Sequence, residues 1–201
     1  MDASWPEVAD PELEAKYQQF KSLESKSNWE KISEDQNTQM FRLRGAHDYD
    51  IFKTVIMVPK PAGTVFNFLN STENFERWGT NLKSCQLKSQ QQNLKLMYIQ
   101  QKMTTPLDDR EMYVCEKAFE RDGNYYVVGT SFEAEDIPVV DGHVRASIFM
   151  NTFQVQPMED NSCLVTYLVD CDFAGNLPKF GKEKVEKSMA KKVPRIFSGI
   201  S

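Results

Sequence analysis

The 201-residue chain contains no apolar run long enough to cross a membrane, because a transmembrane helix needs about 18 such residues. Its N-terminus is acidic and lacks the apolar segment of a secretory signal peptide. These two absences predict a cytoplasmic protein.

Residues with reactive or metal-binding side chains are few, and none of them forms a known motif. The four cysteines include no C-x-x-C pair, and neither histidine, His47 or His143, has partners at metal-ligand spacing. A glycine-rich phosphate loop and a nucleophile-elbow motif are also missing. The sequence therefore predicts reduced thiols, no cofactor and no metal site.

The charge distribution is uneven. The net charge of −5 argues against nonspecific nucleic-acid binding. Residues 177–201, however, carry six lysines and Arg195 against only Glu183 and Glu186. Two interpretations stay open: an ordinary solvated helix face, or transient membrane contact through Lys179, Lys182 and Lys187, since each lysine near an anionic leaflet contributes about 1 kcal/mol.

Periodic patterns give the order of the elements. An acidic tail, residues 1–9, precedes a helix that starts at the Asp10-Pro11 cap. Alternating and β-branched segments predict strands at 29–34, 39–44, 49–58, 84–88, 94–103, 110–120, 124–133, 143–157 and 163–171. A short helix is expected at 62–69 and a long closing helix at 178–197. This order favours a single α+β domain over 1–201.

Four segments together resemble one known family. They are Trp78 after the short helices, Pro106 to Tyr113, Val140-Asp141-Gly142-His143-Val144-Arg145-Ala146, and Leu164 to Tyr167 with Asp172, Gly175 and Leu177-Pro178-Lys179. On these segments the chain resembles the START family of steroidogenic-acute-regulatory-related lipid transfer domains, from about Leu13 to Ile200.

The resemblance implies a helix-grip fold: a curved antiparallel sheet wrapped around a long C-terminal helix, with an internal tunnel for one lipid. It implies a monomer that contacts membranes transiently and transfers a phospholipid or a sterol between them. The gate would be the loop 104–109, with Pro106 and Leu107, together with the closing helix. The tunnel would be lined by Met97, Ile99, Met112, Val114, Phe149 and Tyr167.

Glu116 is the most informative residue of this set. The period-2 geometry of a strand places Met112, Val114 and Glu116 on one face. A carboxylate in an apolar tunnel must be paired, hydrogen-bonded or protonated. Glu116 is therefore a candidate contact for a ligand hydroxyl or a cationic head group, and a rim position paired with Lys117 or Lys102 is the alternative.

The family's head-group motifs are incomplete here. Ile99, Met112 and Phe149 stand where phosphatidylcholine-binding members place aromatic residues, and Phe75 stands at the position of the phosphate-binding base. Met97 and Glu116 fall at the positions of the acid–base pair in sterol transporters, so the resemblance does not identify the lipid.

Arg110 and Arg145 favour structural roles, because a guanidinium readily bridges backbone carbonyl groups or carboxylates. Contact between Arg110 and a lipid phosphate is the minority interpretation. Two alternatives to lipid transfer remain: a helix-grip enzyme of the cyclase or hydrolase type with Glu116 as its acid or base, and a lipid-sensing adaptor domain.

Overall fold

The structure is a computed structural model that describes residues 5–45, 49–77, 81–103, 106–132, 137–174, 196–197 and 200. Its helices are α1 (Trp5–Glu24) and α2 (Ala62–Asn70), and a 3-10 turn (Thr72–Arg77) follows α2. Its strands are β1 (Glu30–Glu34), β2 (Thr38–Leu43), β3 (Ile51–Val58), β4 (Leu82–Gln91), β5 (Leu94–Gln101), β6 (Asp109–Arg121), β7 (Asn124–Ser131), β8 (His143–Arg145), β9 (Ser147–Pro157) and β10 (Cys163–Asp172).

All ten strands belong to one sheet. The order β1-β2-β3-β10-β9-β7-β6-β5-β4 runs across it with antiparallel neighbours. Strand β8 lies off this path and pairs in parallel with the start of β6. A large antiparallel sheet with helices set apart confirms the α+β class. Most of the expected closing helix lies outside the described residues, but Ile196 and Phe197 are helical and buried.

The sheet buries residues on both of its faces, with a different helix on each. Helix α1 covers what we call the α1 face, where Leu96, Cys115, Tyr126, Val128, Met150 and Leu168 point. Helix α2 lies over the α2 face. It shares one apolar cluster there with Ile196 and Phe197 and with the strand residues Phe52, Ala118, Val127, Phe153, Val165 and Tyr167. Because successive side chains of a strand point to opposite faces, each central strand contributes to both layers.

The first helix begins earlier than the sequence predicts. We expected residues 1–9 to form a tail, but α1 starts at Trp5 and contains Pro11 in its interior. Trp5 and Ala9 continue the apolar stripe of Leu13 at a spacing of four residues, and all three are buried. Pro11 lies on the exposed side. Burial of Trp5 against the edge of Phe132 therefore offsets the hydrogen bond that a proline removes from a helix.

The segment 143–157 is two strands instead of the single strand that its apolar pattern predicts. Strand β8 pairs with β6, whereas β9 pairs with β7 and β10. The change of partner occurs at Ala146, whose backbone N–H donates to the Glu111 carbonyl oxygen at 2.9 Å. Pattern alone missed the break because both strands are partly buried.

The position of Trp5 predicts the effect of truncating it. We expect Trp5→Ala to lower the free energy of unfolding by about 3 kcal/mol, the usual cost of removing a buried aromatic side chain. Urea denaturation followed by circular dichroism measures this. Val8→Ala is the matched control, because Val8 is 60% exposed on the same helix, and its effect should stay within about 0.5 kcal/mol. Equal effects of the two substitutions would contradict the packing of the first turn of α1 against the sheet.

Candidate functional site

An apolar patch lies on the α2 face where β5 and β6 run side by side. Its buried members are Phe75, Met97, Met112, Val114 and Ala146, and half-buried Cys85, Ile99 and Ile148 pack against them. Four of the residues that the sequence analysis assigns to a ligand wall are thus neighbours. The alternation along β6 places Glu116 on this same face.

A buried ion pair interrupts this apolar surface. Lys95 on β5 lies directly opposite Glu116 on β6, and the two residues are 4% and 1% exposed. Lys95 Nζ is 3.7 Å from Glu116 Oε1, which is beyond hydrogen-bond distance. The ammonium group instead donates to the carbonyl oxygen and to Oδ1 of Asn70, the last residue of α2.

Glu116 Oε1 is buried and has no hydrogen-bond partner among the described residues. The other neighbour of Glu116 across the sheet is Gly129, which has no side chain to reach the carboxyl group. Native proteins pair nearly all buried polar atoms, so a buried carboxylate oxygen without a partner needs an explanation. An acceptor site of this kind fits a bound molecule that donates a hydrogen bond.

The environment shifts the pKa values of both partners. Burial raises the pKa of Glu116 to about 7, against the opposing influence of Lys95. Burial also lowers the pKa of Lys95, and the negative charge of Glu116 opposes this change. Near neutral pH the Glu116 carboxyl therefore exists in both its protonated and its ionised form, so it can accept or donate a hydrogen bond.

Lys95 was not predicted from the sequence, although a signal for it is present there. Met97 and Ile99 were assigned to the ligand wall, and the period of two along a strand places Lys95 on the same face as both. The resemblance instead aligns Met97 with the partner of Glu116 in the acid–base pair of sterol transporters. The long connection between β5 and β6 fixes no register, so only the structure shows that Lys95 is the residue opposite.

Arg110 lies at the start of β6 and is 3% exposed. Its Nη1 donates to the Asp108 carbonyl oxygen, its Nε to that of Phe173 and its Nη2 to that of Ala174, the last at 3.1 Å. The guanidinium therefore joins the segment before β6 to the segment after β10. This is the bridging role that the sequence favours, and contact with a ligand stays a prediction.

The two aromatic residues assigned to the wall occupy different surroundings. Tyr167 is buried on the α2 face, stacks on Phe153 at 4.3 Å and donates from Oη to Asn151 Oδ1 at 2.8 Å. Phe149 is half-buried at an irregularity in the pairing of β9 with β10. Its neighbour Ile148 packs against both apolar clusters of the α2 face.

Only part of the expected gate belongs to the described residues. Pro106 is exposed and Leu107 half-buried, just before β6. Lys179, Lys182 and Lys187 lie outside the described residues, as do Trp78 and His47, so their assigned roles stay predictions.

A second buried carboxylate, Glu111, lies on the α1 face of the same strand. Its Oε1 accepts two hydrogen bonds from Arg145, at 2.7 and 3.0 Å, and its Oε2 accepts from Tyr98 Oη at 2.6 Å and from the Val140 N–H at 3.3 Å. These donors lower the pKa of Glu111 although burial opposes them. The network joins residues 106–113 to residues 140–146, two of the four segments on which the resemblance to the family is based.

Comparison with known proteins agrees with this architecture. The family model of the START domain matches residues 7–197, and the chain therefore belongs to the START domain family. Human StAR-related lipid transfer protein 5 superposes with a TM-score of 0.86 at 13% identity, covering 96% of this chain and 97% of that one. Human STARD10 superposes with a TM-score of 0.77 at 20% identity, covering 90% and 78%.

Two kinds of relative are found by sequence. START domain-containing protein 10 of Homo sapiens is 24% identical over 133 residues, which are 66% of this chain and 46% of that protein. An acetyl-coenzyme A thioesterase of Rattus norvegicus is 24% identical over 181 residues, 85% of this chain but 32% of the relative. The chain thus spans less than half the length of either protein.

Two features are absent from the described residues. None of their helices has the length and apolar character that a membrane crossing requires. They also contain no cluster of three or more His, Cys, Asp or Glu side chains arranged to hold a metal ion.

The raised pKa of Glu116 predicts a pH dependence of stability. Because the folded chain holds the proton more tightly than the unfolded chain does, the Glu116 contribution falls as the pH rises from about 4.5 to about 7. The loss is about 3 kcal/mol, at about 1.4 kcal/mol for each pKa unit. Glu116→Gln removes this titration. The unfolding free energy of the variant should therefore increase relative to that of the wild type as the pH rises over this window.

Urea denaturation at a series of pH values between 5 and 8 measures this difference. Thr152→Val is the control, because Thr152 is buried on the α1 face and does not titrate, and its stability should follow the pH profile of the wild type. A constant difference between Glu116→Gln and wild type would contradict the raised pKa.

Proposed function

We propose that this chain binds one lipid against the α2 face and carries it between membranes. The START family supports a lipid ligand in general terms. The lipid class, the transfer step and a cytoplasmic setting belong to the proposal.

The observation that carries the proposal is the buried oxygen Glu116 Oε1 among apolar side chains. The surrounding residues Met97, Met112 and Val114 offer contact for hydrocarbon, and methionine adapts readily to flexible chains. Removal of apolar surface from water favours binding by roughly 25 cal/mol per Å². One polar point within an apolar surface suits a molecule that is mostly hydrocarbon and has one polar end.

The contacts of Lys95 narrow the class of lipid. A phosphate group needs a cation free to approach it, but Lys95 Nζ already donates to Asn70 and faces Glu116. Glu116 Oε1, in contrast, is available as an acceptor. The arrangement favours a neutral head group with a hydroxyl or amide donor, such as that of a sterol, over a phospholipid head group.

Transfer requires a path for the lipid and contact with a membrane. In this proposal the loop 104–109 moves to release the lipid, and Lys179, Lys182 and Lys187 contact the membrane surface. The bridge from Arg110 to Asp108, Phe173 and Ala174 supports the proposal, because it fixes the end of this loop at Asp108 while Pro106 is exposed.

The enzymatic alternative depends on the same carboxyl group. The similarity to an acetyl-coenzyme A thioesterase makes thioester hydrolysis the reaction to test. Transfer predicts that the chain binds lipid without turnover. Hydrolysis of an acyl thioester over many cycles, abolished in Glu116→Gln, would instead support an enzyme.

The first test identifies the ligand. The wild-type chain is incubated with a mixed lipid extract, and native mass spectrometry then determines the mass and number of bound lipids. We expect one lipid per chain, with a hydroxyl or amide donor in its head group. A bound phospholipid would overturn the head-group assignment, and an intact but empty chain would overturn lipid transfer.

The second test removes the polar point. The double variant Lys95→Met/Glu116→Leu leaves no unpaired buried charge, and apolar replacement of a buried pair is often tolerated. We expect lipid loading to persist, while the preference for donor-bearing lipids falls about tenfold, which corresponds to about 1.4 kcal/mol. Thr152→Val, on the opposite face, should keep the wild-type preference. An unchanged preference in the double variant would exclude the pair from head-group recognition.

A further inference from the structure

Four consecutive apolar residues, Ile137-Pro138-Val139-Val140, form a surface segment that the lipid site does not use. Val139 is 45% exposed and Val140 46% exposed, Pro138 is exposed and Ile137 half-buried. Single exposed apolar residues are common in proteins, whereas here two exposed valines follow an exposed proline without a polar residue between them. We call residues 137–140 the apolar tip.

The backbone of the apolar tip is hydrogen-bonded to two side chains of the buried Glu111 network, Glu111 and Arg145. Glu111 Oε2 accepts from the Val140 N–H at 3.3 Å, and Arg145 Nη2 donates to the Ile137 carbonyl oxygen at 3.2 Å. Glu111 is 0% exposed. Both ends of the tip are therefore tied to a charged core network, which holds the valine side chains outward.

The neighbouring loop lies at the same end of the sheet. The parallel pairing of β8 with β6 starts at Asp109 and His143, and the Asp109 N–H donates to the Gly142 carbonyl oxygen at 3.1 Å. Pro106 and Leu107 precede Asp109 by three and two residues, on the segment that leads into this pairing. The apolar tip and the exposed Pro106 therefore both lie on segments that lead into the same pair of strands.

We infer that the apolar tip inserts into the interface of a zwitterionic lipid bilayer, beside Pro106 and Leu107. The inference rests on the proposed function, because a carrier must meet a membrane to exchange its lipid. A stable protein–protein interface uses about 20 residues on each side, far more than these two short loops offer. A narrow apolar projection suits insertion between lipid head groups.

The surrounding charges determine which membrane suits the tip. Asp108 and Asp141 flank the two loops, and both are exposed. Carboxylates repel an anionic surface, so the tip fits a neutral phosphatidylcholine surface better. Insertion by apolar contact is also insensitive to salt, unlike attraction between charges.

The test measures partitioning of the full chain onto phosphatidylcholine vesicles by co-sedimentation. We expect the wild-type chain to bind these vesicles equally well at low and high salt. The double variant Val139→Ser/Val140→Ser should weaken binding at least about tenfold, which corresponds to about 1.4 kcal/mol. The matched control is Val8→Ser/Leu87→Ser, which removes similarly exposed residues, at 60% and 44%, and should bind like the wild type.

Two outcomes overturn the inference. Equal weakening in the test and control variants would show that the tip has no special role. An absence of wild-type binding to these vesicles would leave a protein partner as the occupant of the tip. Native mass spectrometry keeps the two proposals apart, because a wild-type chain that loads lipid but fails the vesicle test refutes only the membrane assignment.

Discussion

A carboxylate removed from water must be neutralised or hydrogen-bonded, and strand β6 carries two such groups on opposite faces. Glu111 accepts hydrogen bonds from Arg145, Tyr98 and the Val140 backbone, so it remains ionised and braces the fold. Glu116 has one unpaired oxygen, and burial raises its pKa to about 7 although Lys95, 3.7 Å away, opposes the rise. The same strand thus supplies one carboxylate that is satisfied by the chain and one that is not.

The sequence predicted most of the fold because its patterns are local. Alternation along 110–120 and 163–171 predicted the positions of β6 and β10, and the order of helices and strands predicted the α+β class. Register across a long connection is not local, and this explains why Lys95 was missed. The break at Ala146 depends on a hydrogen bond to Glu111, 35 residues away in the chain, and no pattern within 143–157 reveals it. Trp5 joined α1 because its burial outweighs Pro11, a balance that capping rules do not include.

The family relationship fixes the architecture and leaves the ligand open. A protein with lipid transfer in its name and a thioesterase are both similar to this chain, so function has to be argued from the site itself. Phe75, which the resemblance aligns with the phosphate-binding base of phosphatidylcholine-binding members, is buried in the apolar patch. The resemblance aligns Met97 and Glu116 with the acid–base pair of sterol transporters, whereas in this structure Lys95, two residues from Met97 along β5, lies opposite Glu116.

Strand β6 also connects the two surfaces that a lipid carrier needs. At its start Arg110 and Glu111 hold the backbone of both neighbouring loops, and five residues later Glu116 faces the apolar patch on the other side. Arg110 and Glu111 are buried and bonded to backbone groups, so they fix the described ends of both loops to the core. Loop ends fixed in this way let apolar side chains stay exposed without collapsing onto the core. Arg110 and Glu111, which are buried on β6, therefore also fix the positions of surface loops, and in the proposed function the lipid leaves between these loops.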